Sequence, residues 1–171
     1  MMKFTSQQFL LDHTAAILAF YEPVVYDPAG GFFQNLKDDG TVGLNMNRIK
    51  MLTGVLRKHT KTKIFHDTFF NIVGGLKIDE SETCIDLALV TALLSSLHEF
   101  VVPRTSCIMG ELSLNGDVRP IDSGVPRVKE AAQHGFTEIY IPYRNYHKSM
   151  ENLGARIIPV KTIHELLELI K

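Results

Sequence analysis

The chain is poor in cysteine, carries no excess of one charge and has no long apolar run. Its two cysteines, Cys84 and Cys107, stand in apolar stretches without CxxC spacing. That usage suits a reduced compartment and argues against a zinc site. Lysine and arginine number 18 against 19 aspartates and glutamates, a net charge of −1. No global basic field therefore draws the chain to nucleic acid, and any such contact needs a local patch. No apolar run reaches the roughly 20 residues that span a bilayer. The stretch Phe9 to Tyr21 is broken by Asp12, His13 and Thr14, with no small-residue cleavage site after it, so no secretory leader is expected. A soluble, cytoplasmic chain without a membrane partner is the expectation. A GxxxxGK[ST] phosphate loop is missing, since Gly74-Gly75 lacks the Lys-Ser/Thr that would follow. The seven histidines have neither HxxxH nor HExxH spacing, so no metal ligands are assigned.

What is present fits one domain, or one domain with an extension: 171 residues, 45% of them apolar. Thr5 and Gln8 form a potential capping box for a helix over about 6–21, stopped by Pro23. Residues 27–42 are rich in turn formers. A second helix is predicted from Asn47 to about His59, where Gly54 suggests close packing, because glycine in a helix interior costs about 1 kcal/mol relative to alanine. Thr68 to Val73 reads as a strand, broken at Gly74-Gly75. Cys84 to Leu97 is apolar on most sides and should be a central helix, with Thr83 as its N-cap.

Ser106 to Glu111 reads as a strand entering a hairpin whose turn, Asn115-Gly116, suits a two-residue type I′ geometry. A helix from about Val125 to His134 follows, ended by Gly135 as a left-handed cap. Thr137 to Pro142 and Arg156 to Val160 are predicted strands. Thr162 and Glu165 cap a last helix with Leu166, Leu167 and Ile170 on one face. Strands alternating with helices indicate an α/β or α+β domain.

The wording of the hairpin is specific. Gly110-Glu111-Leu112-Ser113-Leu114-Asn115-Gly116-Asp117-Val118-Arg119-Pro120-Ile121 resembles the GE(I/V)xLxGxVRP(I/V) hairpin of Lon-type protease domains. It is most similar to the Lon-like C-terminal domain of the bacterial RadA (Sms) DNA-repair family. Other landmarks stand in the family's order: Asn47-Arg48-Ile49-Lys50-Met51-Leu52, Asn71 to Ile78, Asp86-Leu87-Ala88 with Ser95-Ser96-Leu97, Glu130-Ala131-Ala132, His134-Gly135-Phe136 and Ile141-Pro142. The likeness runs from about Leu44 to Lys171. It implies a Lon protease-type fold with a mixed sheet and packed helices, carrying an N-terminal helical extension.

Residues 1–43 do not share it. Phe9-Leu10-Leu11-Asp12-His13, Asp27-Pro28, Gly30-Gly31-Phe32-Phe33 and Asp38-Asp39-Gly40 instead resemble the start of the N-acylglucosamine 2-epimerase family. Two segments are therefore expected: residues 1–43, foreign to the RadA pattern, and a Lon-like domain over 44–171. Phe32 to Leu36 is the nearby candidate for the family's first strand.

Lon-type proteases use a Ser–Lys dyad, in which a lysine of lowered pKa activates a serine. Ungapped alignment puts Cys84 at the serine position and Val125 at the lysine position. Valine handles no proton, and Arg127 stays charged and is no substitute base. The resemblance thus implies a protease fold without protease chemistry, because the RadA family generally lacks the lysine too. It further implies DNA contact, a homo-oligomer (a hexameric ring in that family), and a role in recombination and repair. ATP, magnesium and zinc belong to other domains of that family, so no cofactor is expected here. Arg119, Arg127, Lys129, Arg144 and Lys148 are the DNA-contact candidates. Two other readings compete: a peptidase using Cys84, and a sugar-binding remnant with Phe32, Phe33 and Asp38 in a pocket.

Overall fold

A computed structural model describes residues 40–62, 64, 69–71 and 77–170. The expected helix over 6–21, the strand candidate Phe32 to Leu36, the pocket of Phe32, Phe33 and Asp38, and the Gly74-Gly75 break lie outside these residues.

Strand β1 (Gly40–Val42) pairs in parallel with β2 (Phe69–Asn71). This corrects the turn-rich reading of residues 27–42 at its C-terminal end: Gly40 has β2 to pair with, a partner that local sequence does not reveal. Helix α1 (Met46–His59) lies between them. Its N-cap Asn45 accepts the Arg48 N–H at 3.1 Å, and Thr60 closes its far end by donating its N–H to Leu56 O at 2.9 Å. Ile49, Leu52, Val55 and Leu56 are its buried face. Gly54 corrects the packing explanation: it is exposed, and a Cβ there would meet no described atom within 4 Å.

A 3-10 turn, Thr83–Ile85, leads into α2 (Asp86–His98), in which every residue from Asp86 to Leu94 is buried. This is the central helix that its all-round apolarity demands. Thr83 is not its N-cap. The 3-10 turn delays the helix start, and the Thr83 hydroxyl donates to Glu111 Oε2 at 2.9 Å.

The main sheet is parallel, ordered β3 (Ser106–Ile108), β6 (Glu138–Pro142), β7 (Arg156–Val160). Its register sets Cys107 beside Ile139 and Ile139 beside Ile157. The long strand expected from Ser106 to Glu111 breaks at Gly110. There the backbone turns to the head of α2, donating its N–H to Cys84 O at 2.7 Å and accepting the Leu87 N–H at 3.0 Å. A side chain would be crowded, because a Cβ on Gly110 would meet Val118 Cγ1 at 3.0 Å and Leu87 Cδ2 at 3.2 Å.

The antiparallel hairpin is β4 (Glu111–Leu112) with β5 (Val118–Arg119). Its turn differs from the two-residue expectation. Ser113 donates its N–H to Asp117 O at 3.0 Å, Gly116 donates to Ser113 O at 3.0 Å, and Gly116 alone of the loop has positive φ, +80°. Such a three-residue loop with glycine in the left-handed position is the bulged alternative to type I′. The hairpin tip is also held from outside: Ile163 N–H bonds Gly116 O at 2.9 Å, and His59 Nε2 lies 3.1 Å from Leu114 O.

Helix α3 (Gly124–Gln133) ends as its glycine requires. Gly135, at φ +90°, donates to Ala132 O at 3.1 Å, and Phe136 donates to Ala131 O at 3.2 Å. Those paired bonds are the Schellman closure. Helix α4 (Ile163–Ile170) starts with Thr162 Oγ1 accepting the Glu165 N–H at 3.2 Å, while Glu165 reaches back to the Lys161 N–H at 2.6 Å. Parallel and antiparallel pairings thus coexist with helices around one apolar cluster drawn from α1, α2, the main sheet, α3 and α4, an α/β fold. Among the described residues no helix is long and apolar enough to cross a membrane.

Candidate functional site

The head of α2 is where the Lon-type pattern would keep its chemistry. Cys84 occupies the 3-10 turn there, 2% exposed, and its sulfur accepts a hydrogen bond from Arg127 Nη1 at 3.2 Å. The rest of that guanidinium is engaged too. Nη2 lies 3.3 and 3.4 Å from the Glu82 carboxylate oxygens, and Nε donates to Asp122 O at 3.1 Å. Val125, in the first turn of α3, is a half-buried side chain packed on the core. A nitrogen therefore does reach the Cys84 sulfur, but it belongs to a guanidinium, which does not give up its proton. The other thiol, Cys107, is buried in β3, and desolvation pushes it up to about 12.

Two residues after Cys84, Asp86 accepts from Arg48 through Nε at 2.8 Å and through Nη2, and from the Leu112 N–H at 3.0 Å. Burial, the largest influence, raises the Asp86 pKa despite these bonds, while the bond to Asp86 raises that of Arg48. This pair joins α1, α2 and β4. Among the described residues no group of three histidine, cysteine, aspartate or glutamate side chains is placed to hold a metal ion.

A second feature lies outside that buried cluster. The hairpin, the 3-10 turn Tyr143–Asn145 and the junction between β7 and α4 enclose an open cleft of about 540 Å³. Asp117 to Pro120, Tyr143, Arg144, Lys161 and Thr162 line it. Two walls are joined by backbone: Val118 donates its N–H to Lys161 O at 2.8 Å, and Asp117 bridges to Thr162. Lys161 Nζ sits 4.4 Å from the Tyr143 ring centroid, a cation–π contact. Arg119, Arg144 and Lys161 are exposed and form no ion pair with any described residue, whereas Asp117 is the one acidic lining residue.

The structure thus sorts the five DNA-contact candidates. Arg119 and Arg144 converge on the cleft. Lys129, on α3, and Lys148, in the 3-10 turn Lys148–Met150, are exposed but do not line it. Arg127 is a correction: it is 8% exposed and turned inward onto Glu82, Cys84 and Asp122, whose carboxylate, sulfur and carbonyl take up its donors. Sequence reading missed Lys161 altogether. A lone lysine before a helix cap carries no signal until the Val118–Lys161 bond brings it beside Arg119.

Comparison with known proteins places these observations. A family model described as subunit ChlI of Mg-chelatase matches residues 73–145, fewer than half of the chain. The protein named DNA repair protein RadA from Pseudomonas aeruginosa is 40% identical over 129 residues, which is 75% of this chain and 28% of that protein. The one from Haemophilus influenzae is 41% identical over 128 residues, 74% of this chain and 27% of that protein. The Escherichia coli protein of the same name is 39% identical over 127 residues, with the same coverage of 74% and 27%. The chain spans little more than a quarter of the length of these curated relatives. Within that span the likeness covers about three quarters of the present sequence: this part of the chain is similar to a stretch of proteins named for DNA repair.

Proposed function

We infer that the chain serves DNA repair as a non-catalytic domain of RadA type, contacting DNA through the cleft and taking part in a homo-oligomeric ring. The observation that carries the reading is the convergence of Arg119, Arg144 and Lys161 on one open cleft, with Asp117 beside them and no ion pair to any described residue. Cations so placed suit phosphate oxygens, which fix position on a strand without reading its sequence. The absence of peptidase chemistry rests on Val125 and on the guanidinium beside Cys84, neither of which can accept a proton from a nucleophile. Ring assembly rests on the family resemblance.

The test is DNA affinity of the full chain at several salt concentrations, with mass measured in solution alongside. Each phosphate contact contributes a slope of about 0.9 in log K against log salt for duplex DNA, so Arg119→Ala and Arg144→Ala should each flatten it by roughly that amount. A strict monomer would remove the assembly half. An affinity insensitive to salt would remove the DNA half.

A further inference from the structure

Two arginines from separate segments share the cleft, and one side chain ties those segments together. Asn145 accepts the Ile121 N–H through Oδ1 at 2.8 Å and donates from Nδ2 to Ile121 O at 2.9 Å. This pair of hydrogen bonds to a single residue's backbone is what a neighbouring strand would supply, and Ile121 has left the β4–β5 ladder. The segment needs such a partner. Pro120 has no N–H to contribute, and Ser123 carries a left-handed φ of +55° before α3 begins. Arg119 precedes Ile121 by two residues, and Arg144 adjoins Asn145 in the sequence. The third cation arrives separately, through the Val118–Lys161 bond.

We propose that Asn145 is the positioning residue of an anion site in this cleft, tying together the segments that bring Arg119 and Arg144 to one phosphate-bearing ligand. The assignment deepens the reading of the cleft given above and rests on it. Asn145 itself does not line the cleft; it acts through the backbone of Ile121. Gly124 supports the role. A Cβ there would stand 2.6 Å from Asn145 Nδ2 and 2.9 Å from its Cγ, so the first residue of α3 leaves space for the amide to sit where it does. With the clamp intact, the backbone segments that carry both arginines are held together, so less ordering remains for binding to oppose.

The probe is inorganic pyrophosphate, titrated into the full chain and followed by NMR shifts of the Arg119, Arg144 and Lys161 amides. The native chain should show saturable shifts at all three. Asn145→Ala should weaken binding by about tenfold or more, the effect of losing one charge-assisted contact. Gly124→Ala, which keeps the asparagine but displaces it, should reproduce that loss, and signals from α2 should stay in place in both variants. Combined with Arg144→Ala, Asn145→Ala should add little, because both remove the same contact. Native affinity in both variants, full additivity with Arg144→Ala, or an unresponsive native chain would each overturn the proposal. The two readings fail separately. Salt-sensitive DNA binding without pyrophosphate shifts sinks the anion site alone, and pyrophosphate binding without DNA affinity sinks the DNA reading alone.

Discussion

Asp86 and Arg48 form a forked ion pair at the head of the central helix, and the same carboxylate accepts the Leu112 N–H at 3.0 Å. Asp86 is 1% exposed. Replacing it with alanine strands a guanidinium and a buried backbone donor together. Asp86→Ala should therefore cost about 3 kcal/mol, the lower end of the range for breaking a buried pair, since Arg48 keeps some solvent. Urea denaturation of the two proteins would measure the difference, and a loss well under 1 kcal/mol would contradict the assigned strut.

The same carboxylate predicts a pH effect. Burial outweighs its bonds to Arg48 and Leu112 and raises its pKa above the ordinary 3.8. A carboxyl group with a raised folded-state pKa contributes stability that is fully present below the unfolded value and is lost as pH rises through the folded one. Asp86→Asn should remove that decline, so the variant's stability should vary less with pH just above 3.8 than the native chain's does. Thermal melts across that window would reveal an unchanged slope if the group does not titrate there.

Arg127 and Arg119 separate structure from binding. Arg127→Ala leaves the half-buried Glu82 carboxylate and the Cys84 sulfur without their guanidinium, and a loss of about 2 kcal/mol is expected. The salt slope of DNA affinity should not change. Arg119→Ala should do the reverse, with stability altered by less than about 0.5 kcal/mol and a flatter slope. Exchanged outcomes would show that the inward and outward assignments are swapped.

Two glycines should respond oppositely to alanine. Gly54 is exposed within α1 with open space at its Cβ position, so Gly54→Ala should stabilise by about 1 kcal/mol. Gly135 also has space but holds φ +90°, so Gly135→Ala should destabilise by about 1 kcal/mol. Melting temperatures would decide both.

Local pattern carried much of this fold. The apolarity of Leu87 to Leu94 marked the central helix, Gly135 marked the end of α3, and Thr162 with Glu165 marked the start of α4. What remained hidden depends on partners distant in sequence. Gly110 breaks its strand because its backbone is drawn to Cys84 and Leu87, and Thr83 gives up capping for Glu111. For the site, residue type gave charge without direction. Arg119 and Arg127 look alike in the chain, yet one faces the cleft and the other faces Glu82. Lys161 joined the candidates only through a backbone bond to Val118.

That bond has a consequence for synthesis. The hairpin emerges from the ribosome long before Lys161 and Thr162 do, and until they follow, Val118 has no carbonyl to meet on that side. The cationic cleft therefore cannot be complete in a nascent chain until Thr162 has been made. A polypeptide cut short before Lys161 would carry the hairpin and Arg119 but lack one wall of the cleft.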